Sequence, residues 1–446
     1  MEEKTLYSKI HLNSASSPQS SYQMRDNKTF KMKEEELYSK AHVAGCIKYV
    51  VDKESDEDVE LTANDKFSCN LATMLARDKE VVAVNLKTYS NSCIIYISKN
   101  NAWFKEDVEY IEKIQIYLRS ISKYEPMTWF EALRKDETSA LCYEVMKYCS
   151  SKFDSRYGKL KKDLIDGKEE QHVKSFTEYI SNYTKNIDEE GRLAISQMCC
   201  FYYKGNKDKN IPKIFLKHIK EVGSYVGSFI NITDCACNQK YKTLFSQVKL
   251  HRLNPDIIHK PICSWKSIIH KLIPNSKTYQ GFKEACLNDR IISERLIRTY
   301  DSIERLDLEN INKHIYLHAE LNIVSNIINQ KIKTRSFIAV SKKCCFLCEL
   351  YIKFAQQQGY NIVISGAHKK IYHAWKHPDT IDVTFKRNSQ TYILKELDQI
   401  IMEEIKRYID LRSRSDSDAG SVDSHIIEDI DDFSAYAEFK SIAKSE

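Results

Sequence analysis

The sequence predicts an α/β fold that carries a large helical block. Three observations lead there. Two β-rich runs, "EVVAVNL" and "SCIIYIS", flank the polar turn "KTYSN" and read as a hairpin at 80–98. Apolar residues then recur every three or four positions through residues 102–310. From about residue 312 strand and helix patterns alternate, as in a layered α/β domain.

The elements follow in order. Residues 1–60 are polar and charged, include the Ser-rich "NSASSPQSS", and are expected to be mostly disordered. "LYSKIH" at 6–11 recurs as "LYSKAH" at 37–42, too little for a repeat architecture. Residues 61–101 give a short amphipathic helix and then the hairpin. In residues 102–310 the stripes are Val108, Ile111, Ile114, Leu118 and Ile121, and Phe215, Ile219, Val222, Val226 and Phe229 after Pro212. This block is expected to be all-helical, an insertion or accessory domain, with Cys142, Cys149, Cys199 and Cys200 in its core. The "CAC" at 235–237 lacks the second half of a metal motif.

Residues 311–411 alternate. "NKHIYL", "SFIAVS", "YNIVIS" and "IDVTF" read as strands. "HAELNIVSNIINQKIKT" and "CFLCELYIKFAQQQ" read as helices, the second stopped by Gly359. A long last helix carries Leu394, Leu397, Ile401, Ile405 and Tyr408 on one stripe. Residues 412–446 are Ser- and Asp-rich and expected to be disordered. From Ser415 onward nine acidic residues face two lysines, net −7, which leaves +13 on the rest of a chain whose total is +6. That body suits an anionic partner such as a nucleotide or nucleic acid, and equally a Lys-rich solvated surface.

No apolar run reaches the roughly 18 residues that cross a bilayer. The N-terminal stretch has no apolar h-region, so an intracellular protein, cytoplasmic or nuclear, is expected. There thiols stay reduced, so the 14 cysteines are expected to pack, bind metal or do chemistry. Three of them crowd into "SKKCCFLCEL" at 341–350.

Two motifs stand in the alternating region. His318-Ala319-Glu320 opens one helix, and Cys345-Phe346-Leu347-Cys348 opens the next. If the strands before them are parallel, both helices start at one sheet edge. His318, Cys345 and Cys348 then converge with Glu320 beside them. Imidazole and thiolates suit zinc, which keeps a fourth position for water when catalytic. A helix N-terminus lowers thiol pKa. A carboxylate that is not a ligand can move protons. Each motif alone arises by chance, whereas their order and spacing together seldom do.

This pattern resembles the zinc-dependent nucleobase deaminases, whose signature is H-x-E followed by C-x-x-C at two successive helix starts. It is closest to a mostly fungal branch with relatives in intracellular bacteria and toxin-like proteins. That branch has "HAE", then "SK", then "GxHxK" and a Trp, matched here by Ser341-Lys342, Gly366-Ala367-His368-Lys369 and Trp375. The resemblance spans residues 312–411. It implies an α/β/α three-layer fold with a cytidine-deaminase-like mixed sheet. It also implies zinc on His318, Cys345 and Cys348, Glu320 as proton shuttle, and His368 and Trp375 near the substrate. Asn100 and Asn101 end the hairpin where the superfamily often places a substrate-contacting Asn.

Many members have Pro before the first motif Cys, and this chain has Cys344. A closed structural Cys₃His site therefore stands as a rival to a catalytic one. The function expected is hydrolytic deamination of a nucleobase. The alternative is a zinc-stabilised module that binds nucleic acid or protein without turnover. The hairpin is expected to supply the first two strands of the deaminase sheet. An independent N-terminal domain, with the catalytic unit complete from about residue 300, is the rival arrangement.

Overall fold

A computed structural model describes residues 18–52, 59–181, 189–308 and 310–415, with the side chains of 18–30, 189–190 and 411–415 outside the description. Seven strands form among the described residues: β1 Val82–Thr88, β2 Cys93–Lys99, β3 Val248–Arg252, β4 Ile257–Ile262, β5 Ile311–Tyr316, β6 Ser336–Val340 and β7 Ile362–Ile364. Five make a mixed sheet in the order β3-β2-β1-β6-β7, and β4 pairs with β5 apart from it.

The hairpin lies at the centre of this sheet. β1 and β2 pair antiparallel from Val82↔Lys99 to Thr88↔Cys93. β1 also pairs antiparallel with β6 through Ala83↔Val340 and Val84↔Ala339. β2–β3 and β6–β7 are parallel. Residues 82–84 of β1 and 337–340 of β6 are continuous apolar stretches because both faces of the sheet are covered there. Ala83 and Ile338 point into a core with the helices Ala319–Asn329, Phe346–Gln357 and Val383–Ser415. Val82, Val84, Phe337 and Ala339 point the other way, toward Ala63–Leu75, Lys105–Ile121 and Lys213–Cys237. The result is a helix–sheet–helix sandwich with a large helical region on one face.

Local chemistry sets several boundaries. Thr62 and Asp65 form a capping box that starts Ala63–Leu75. Gly359, at φ +81°, ends Phe346–Gln357 in a conformation that costs glycine nothing.

The structure corrects four expectations. Residues 102–310 are not all helical, since β3 and β4 lie within them. Each is short, with mostly polar or half-exposed side chains, and Pro261 confines β4 to an edge. Part of the supposedly disordered N-terminus is a helix, Pro18–Ile47, in which Leu37, Tyr38, Ala41, Val43, Ala44, Cys46 and Ile47 are buried. Its charges find partners, as in Lys40–Asp398 at 2.6 Å. The second "LYSKAH" copy lies in this helix, and the first lies outside the described residues. "NKHIYL" is a strand, but β5 pairs with β4 rather than joining the main sheet. "IDVTF" is no strand. Asp382 accepts from the Phe385 N–H at 2.9 Å and starts the last helix at Val383. Of the acidic tail, residues 416–446 lie outside the described residues.

Candidate metal and active centre

Two helix starts meet at one edge of the sheet. β6 runs out through Ser341–Cys344, and Cys345 caps the next helix with its sulfur accepting the Cys348 N–H at 3.4 Å. Backbone bonds fix this turn on the following loop: Cys344 N–H to Gly366 O at 3.1 Å, His368 N–H to Cys344 O at 3.0 Å, and Phe346 N–H to Lys370 O at 2.9 Å. His318 is the N-cap of the other helix. It follows β5, whose end is held by Tyr316 N–H on Ala374 O at 2.9 Å and Leu317 N–H on Asp256 O at 2.8 Å. The two starts thus converge although β5 is not part of the main sheet.

His318 Nδ1 lies 3.2 Å from Cys348 Sγ and 3.5 Å from Cys345 Sγ, and the two sulfurs are 3.3 Å apart. Glu320 Oε1 is 3.9 Å from the same nitrogen. These four residues offer donor atoms within 4.8 Å of one another, the one such cluster of three or more among the described residues. Cys344 is fully buried but is not part of it. Burial, and then the charge of the neighbouring Glu320, hold its thiol well above the usual range.

The electrostatics fit a cation site. Burial pushes the Cys345 thiol up, but the Cys348 hydrogen bond and the His318 charge outweigh it and bring it down to about 5. Burial and then the Cys345 thiolate hold the Cys348 thiol well above its usual range. Burial pulls His318 down, and Cys345 outweighs this and leaves it raised. One nitrogen and two sulfurs at 3.2–3.5 Å approach the roughly 3.5 Å donor spacing of tetrahedral zinc. Glu320 Oε2 is buried with no hydrogen-bond partner, an acceptor that water held by a metal on the donor set would satisfy. The residues present fit zinc.

The other sequence candidates fall in different places. Asn100 Oδ1 accepts from the Ala319 N–H at 2.7 Å, next to His318. Asn101 is half-buried at the same strand end. His368 accepts the Lys370 N–H on its Nδ1 at 3.1 Å, and its ring meets Tyr372 at 5.4 Å. Trp375 is completely buried in the core, its Nε1 without a partner. Sequence reasoning missed Tyr316 and Tyr372, whose rings flank His318 at 5.3 and 6.2 Å. Tyr316, two positions before the metal-motif His, was the available signal for one of them. Asn322 was missed too. Its amide donates to Ser98 Oγ at 3.0 Å and Asn254 O at 2.8 Å, pinning the His318 helix to β2.

An α/β/α sandwich with a His-Cys-Cys cluster and an adjacent Glu at two helix starts defines a deaminase-like module with a candidate zinc site. Residues 317–379 match the model of the OTT_1508-like deaminase family, in the cytidine deaminase-like superfamily. No curated protein and no solved structure matches the chain.

Proposed function

We propose that the chain is a zinc-dependent hydrolytic deaminase that acts on a nucleobase in a nucleotide or nucleic acid. The observation that carries the reading is Glu320: a buried carboxylate beside the donor set with one oxygen unpartnered. His318, Cys345 and Cys348 would hold the metal. Zinc, when bound, activates water near neutral pH and polarises the reacting carbon's surroundings. Glu320 takes a proton from the attacking water and delivers it to the exocyclic nitrogen. A C–O bond forms, the C–N bond breaks, and ammonia leaves. The first turn of the His318 helix carries the Glu320 carboxylate beside the donor set. Asn100 orients that turn from β2.

The test is ammonia release by the zinc-loaded protein from bases, nucleosides, nucleotides, transfer RNA and single-stranded DNA. Glu320→Gln should keep zinc and the fold while losing about 10²–10⁴ in rate. Equal activity in the variant removes Glu320 from the mechanism.

A second reading, a zinc-stabilised binding module, has one observation in its favour. His318, Glu320, Cys345 and Cys348 are only 5, 2, 2 and 0% exposed, so the centre is closed. Full zinc occupancy with no ammonia from any of these substrates would favour it.

A further inference from the structure

β4 and β5 form a two-stranded ribbon whose register sets Ile257 opposite Tyr316, His259 opposite His314 and Pro261 opposite Asn312. Leu317 N–H donates to Asp256 O at 2.8 Å, so these two residues form a hydrogen-bonded pair at the ribbon's end. Pairs alternate along an antiparallel ladder, and counting from there His259 and His314 form a non-hydrogen-bonded pair, the kind whose side chains stand closest. Two facts agree with this phase. Pro261, which has no N–H to give, falls in another such pair, and Tyr316 N–H turns outward to Ala374 O at 2.9 Å.

The ribbon has two unlike faces. Ile258, Ile262, Ile311 and Ile315 pack with Tyr38 of the N-terminal helix. Lys260 and Lys313 share that side by strand alternation, and they pair with Glu34 at 3.2 Å and Asp301 at 3.3 Å. His259 and His314 lie on the other face, both exposed, with ring centroids 3.3 Å apart and ring planes at 64°. Neither ring makes a hydrogen bond or an ion pair among the described residues. Burial, and then the His259 charge, hold His314 below its ordinary value, so the pair offers an imidazole lone pair near neutral pH. Two imidazoles directly opposite each other repel when both are charged. Neutral, they are ligands that suit zinc, copper and nickel. Bonds of about 2.0–2.1 Å to one cation place two nitrogens roughly 3.3 Å apart, a spacing that exposed side-chain torsions reach from this contact.

We propose that His259 and His314 form a second metal site, a cross-strand chelate for a divalent cation of the Cu²⁺, Ni²⁺ or Zn²⁺ class, with water completing the coordination. Neither residue belongs to the His318 cluster, so the site stands whether or not the Glu320 centre is catalytic. β5 runs from His314 through Tyr316 toward His318, and the Tyr316 ring lies 5.3 Å from the His318 ring. A cation that clamps β4 to β5 steadies the strand that delivers His318 to its own centre.

The test is calorimetric titration of the zinc-loaded full chain with Ni²⁺, with zinc followed by elemental analysis. Wild type should take up about one Ni²⁺ beyond its zinc. His259→Ala and His314→Ala should each weaken that uptake about 10²-fold, the gain a chelate draws from a second ligand already in place. The double variant should be within about twofold of either single one, because one loss already breaks the chelate. His251→Ala, at an exposed histidine of β3, should change nothing. Cu²⁺ should bind tighter than Ni²⁺, and Mg²⁺ should not compete. Ni²⁺ should also raise the melting temperature of wild type and not of the single variants. Should His314→Ala fold poorly, His314→Phe keeps the ring and removes the ligand. Zinc displaced from the first centre should be the same in wild type and variants. The site is overturned if wild type takes up no extra Ni²⁺, or if the uptake survives in both single variants. Small losses that add in the double variant also overturn it, since they would mark two independent histidines.

Discussion

The side-chain oxygen of Asn100 accepts the backbone N–H of Ala319 at 2.7 Å, across 219 positions of sequence. This bond joins the end of the hairpin to the first turn of the helix that carries His318 and Glu320. It satisfies a helix-start donor that His318, whose side chain makes no cap bond, leaves open. Asn100→Ala should therefore cost about 1 kcal/mol, the usual value of a lost cap. Asn100→Asp keeps the acceptor and should restore most of the melting temperature. If the amide nitrogen also contacts substrate, the Asp variant stays impaired in KM while its stability recovers. Thermal melts and steady-state kinetics on the two variants separate these roles. An Asn100→Ala protein as stable as wild type would show that the bond is idle.

Cys344 and Cys345 are neighbours with different duties. Cys345 faces His318 and Cys348, and Cys344 faces Glu320. Elemental analysis should find about one zinc per chain in wild type and in Cys344→Ser, and little in Cys345→Ser. Chelation should lower the melting temperature of wild type, because metal held by the folded state stabilises it. Equal zinc loss in both serine variants would instead identify a closed Cys₃His site.

The parts of the site legible in the sequence were those written locally. H-x-E and C-x-x-C are short and sit at helix starts, so residue type and spacing place His318, Glu320, Cys345 and Cys348 without tertiary knowledge. β1 and β2 were legible for the same reason, as apolar runs parted by a polar turn. Less visible was whatever depends on distant partners. Leu37 and Ala41 are buried in the core shared with the last helix, and Tyr38 against β4 and β5, and the charges among them read as solvated. β3 is a strand only beside β2, since its own sequence "VKLHR" has one fully buried residue. "IDVTF" alternates like a strand, yet Asp382 caps a helix there, and the cap outweighs the alternation.

The N-terminal helix makes a prediction about fragments. Tyr49–Val51 pairs with the 369–371 loop through Ile371 N–H on Tyr49 O at 2.8 Å and Val51 N–H on Lys369 O at 3.0 Å. That loop holds the Cys345 turn through Phe346. Leu37, Tyr38, Val43, Cys46 and Ile47 together contribute on the order of 10 kcal/mol of burial, comparable to the whole margin of a folded domain. A fragment of residues 18–415 should be soluble, zinc-loaded and cooperative in melting. Fragments 60–415 and 300–415 should not be, the first lacking this helix and the second lacking β1, β2 and β3 as well. A well-folded 60–415 would mean that the helix is an appendage and the rest of the core closes without it.

Buried histidines set the response to acid. Burial brings His373 down to about 4 and His377 to about 3, against an ordinary value of 6.5. Burial and the neighbouring His373 also hold His42 well below that value. His373 faces Lys313, Arg298 and the His42 ring, and His377 faces Lys386, Lys376, Asp379 and Ser389. All three are neutral in the folded chain at pH 6.5, where the unfolded chain is half protonated at each. Between 6.5 and about 4 the unfolded state binds more protons, so stability falls as the pH falls. The His377 contribution continues to fall until about 3. Asp379, held down to about 2 by Lys376 and Lys386 against its burial, adds a further loss below 3.8. Each histidine changes the slope by at most about 1.4 kcal/mol per pH unit. Zinc release acts in the same direction, so the measurement pairs wild type with His377→Gln, which keeps a hydrogen-bonding group for Ser389. Urea midpoints at pH 7.5, 6.5, 5.5 and 4.5 should fall more steeply in wild type than in the variant, by roughly one histidine's worth. Parallel curves would show that His377 is already charged in the folded protein, or that its site opens before it titrates.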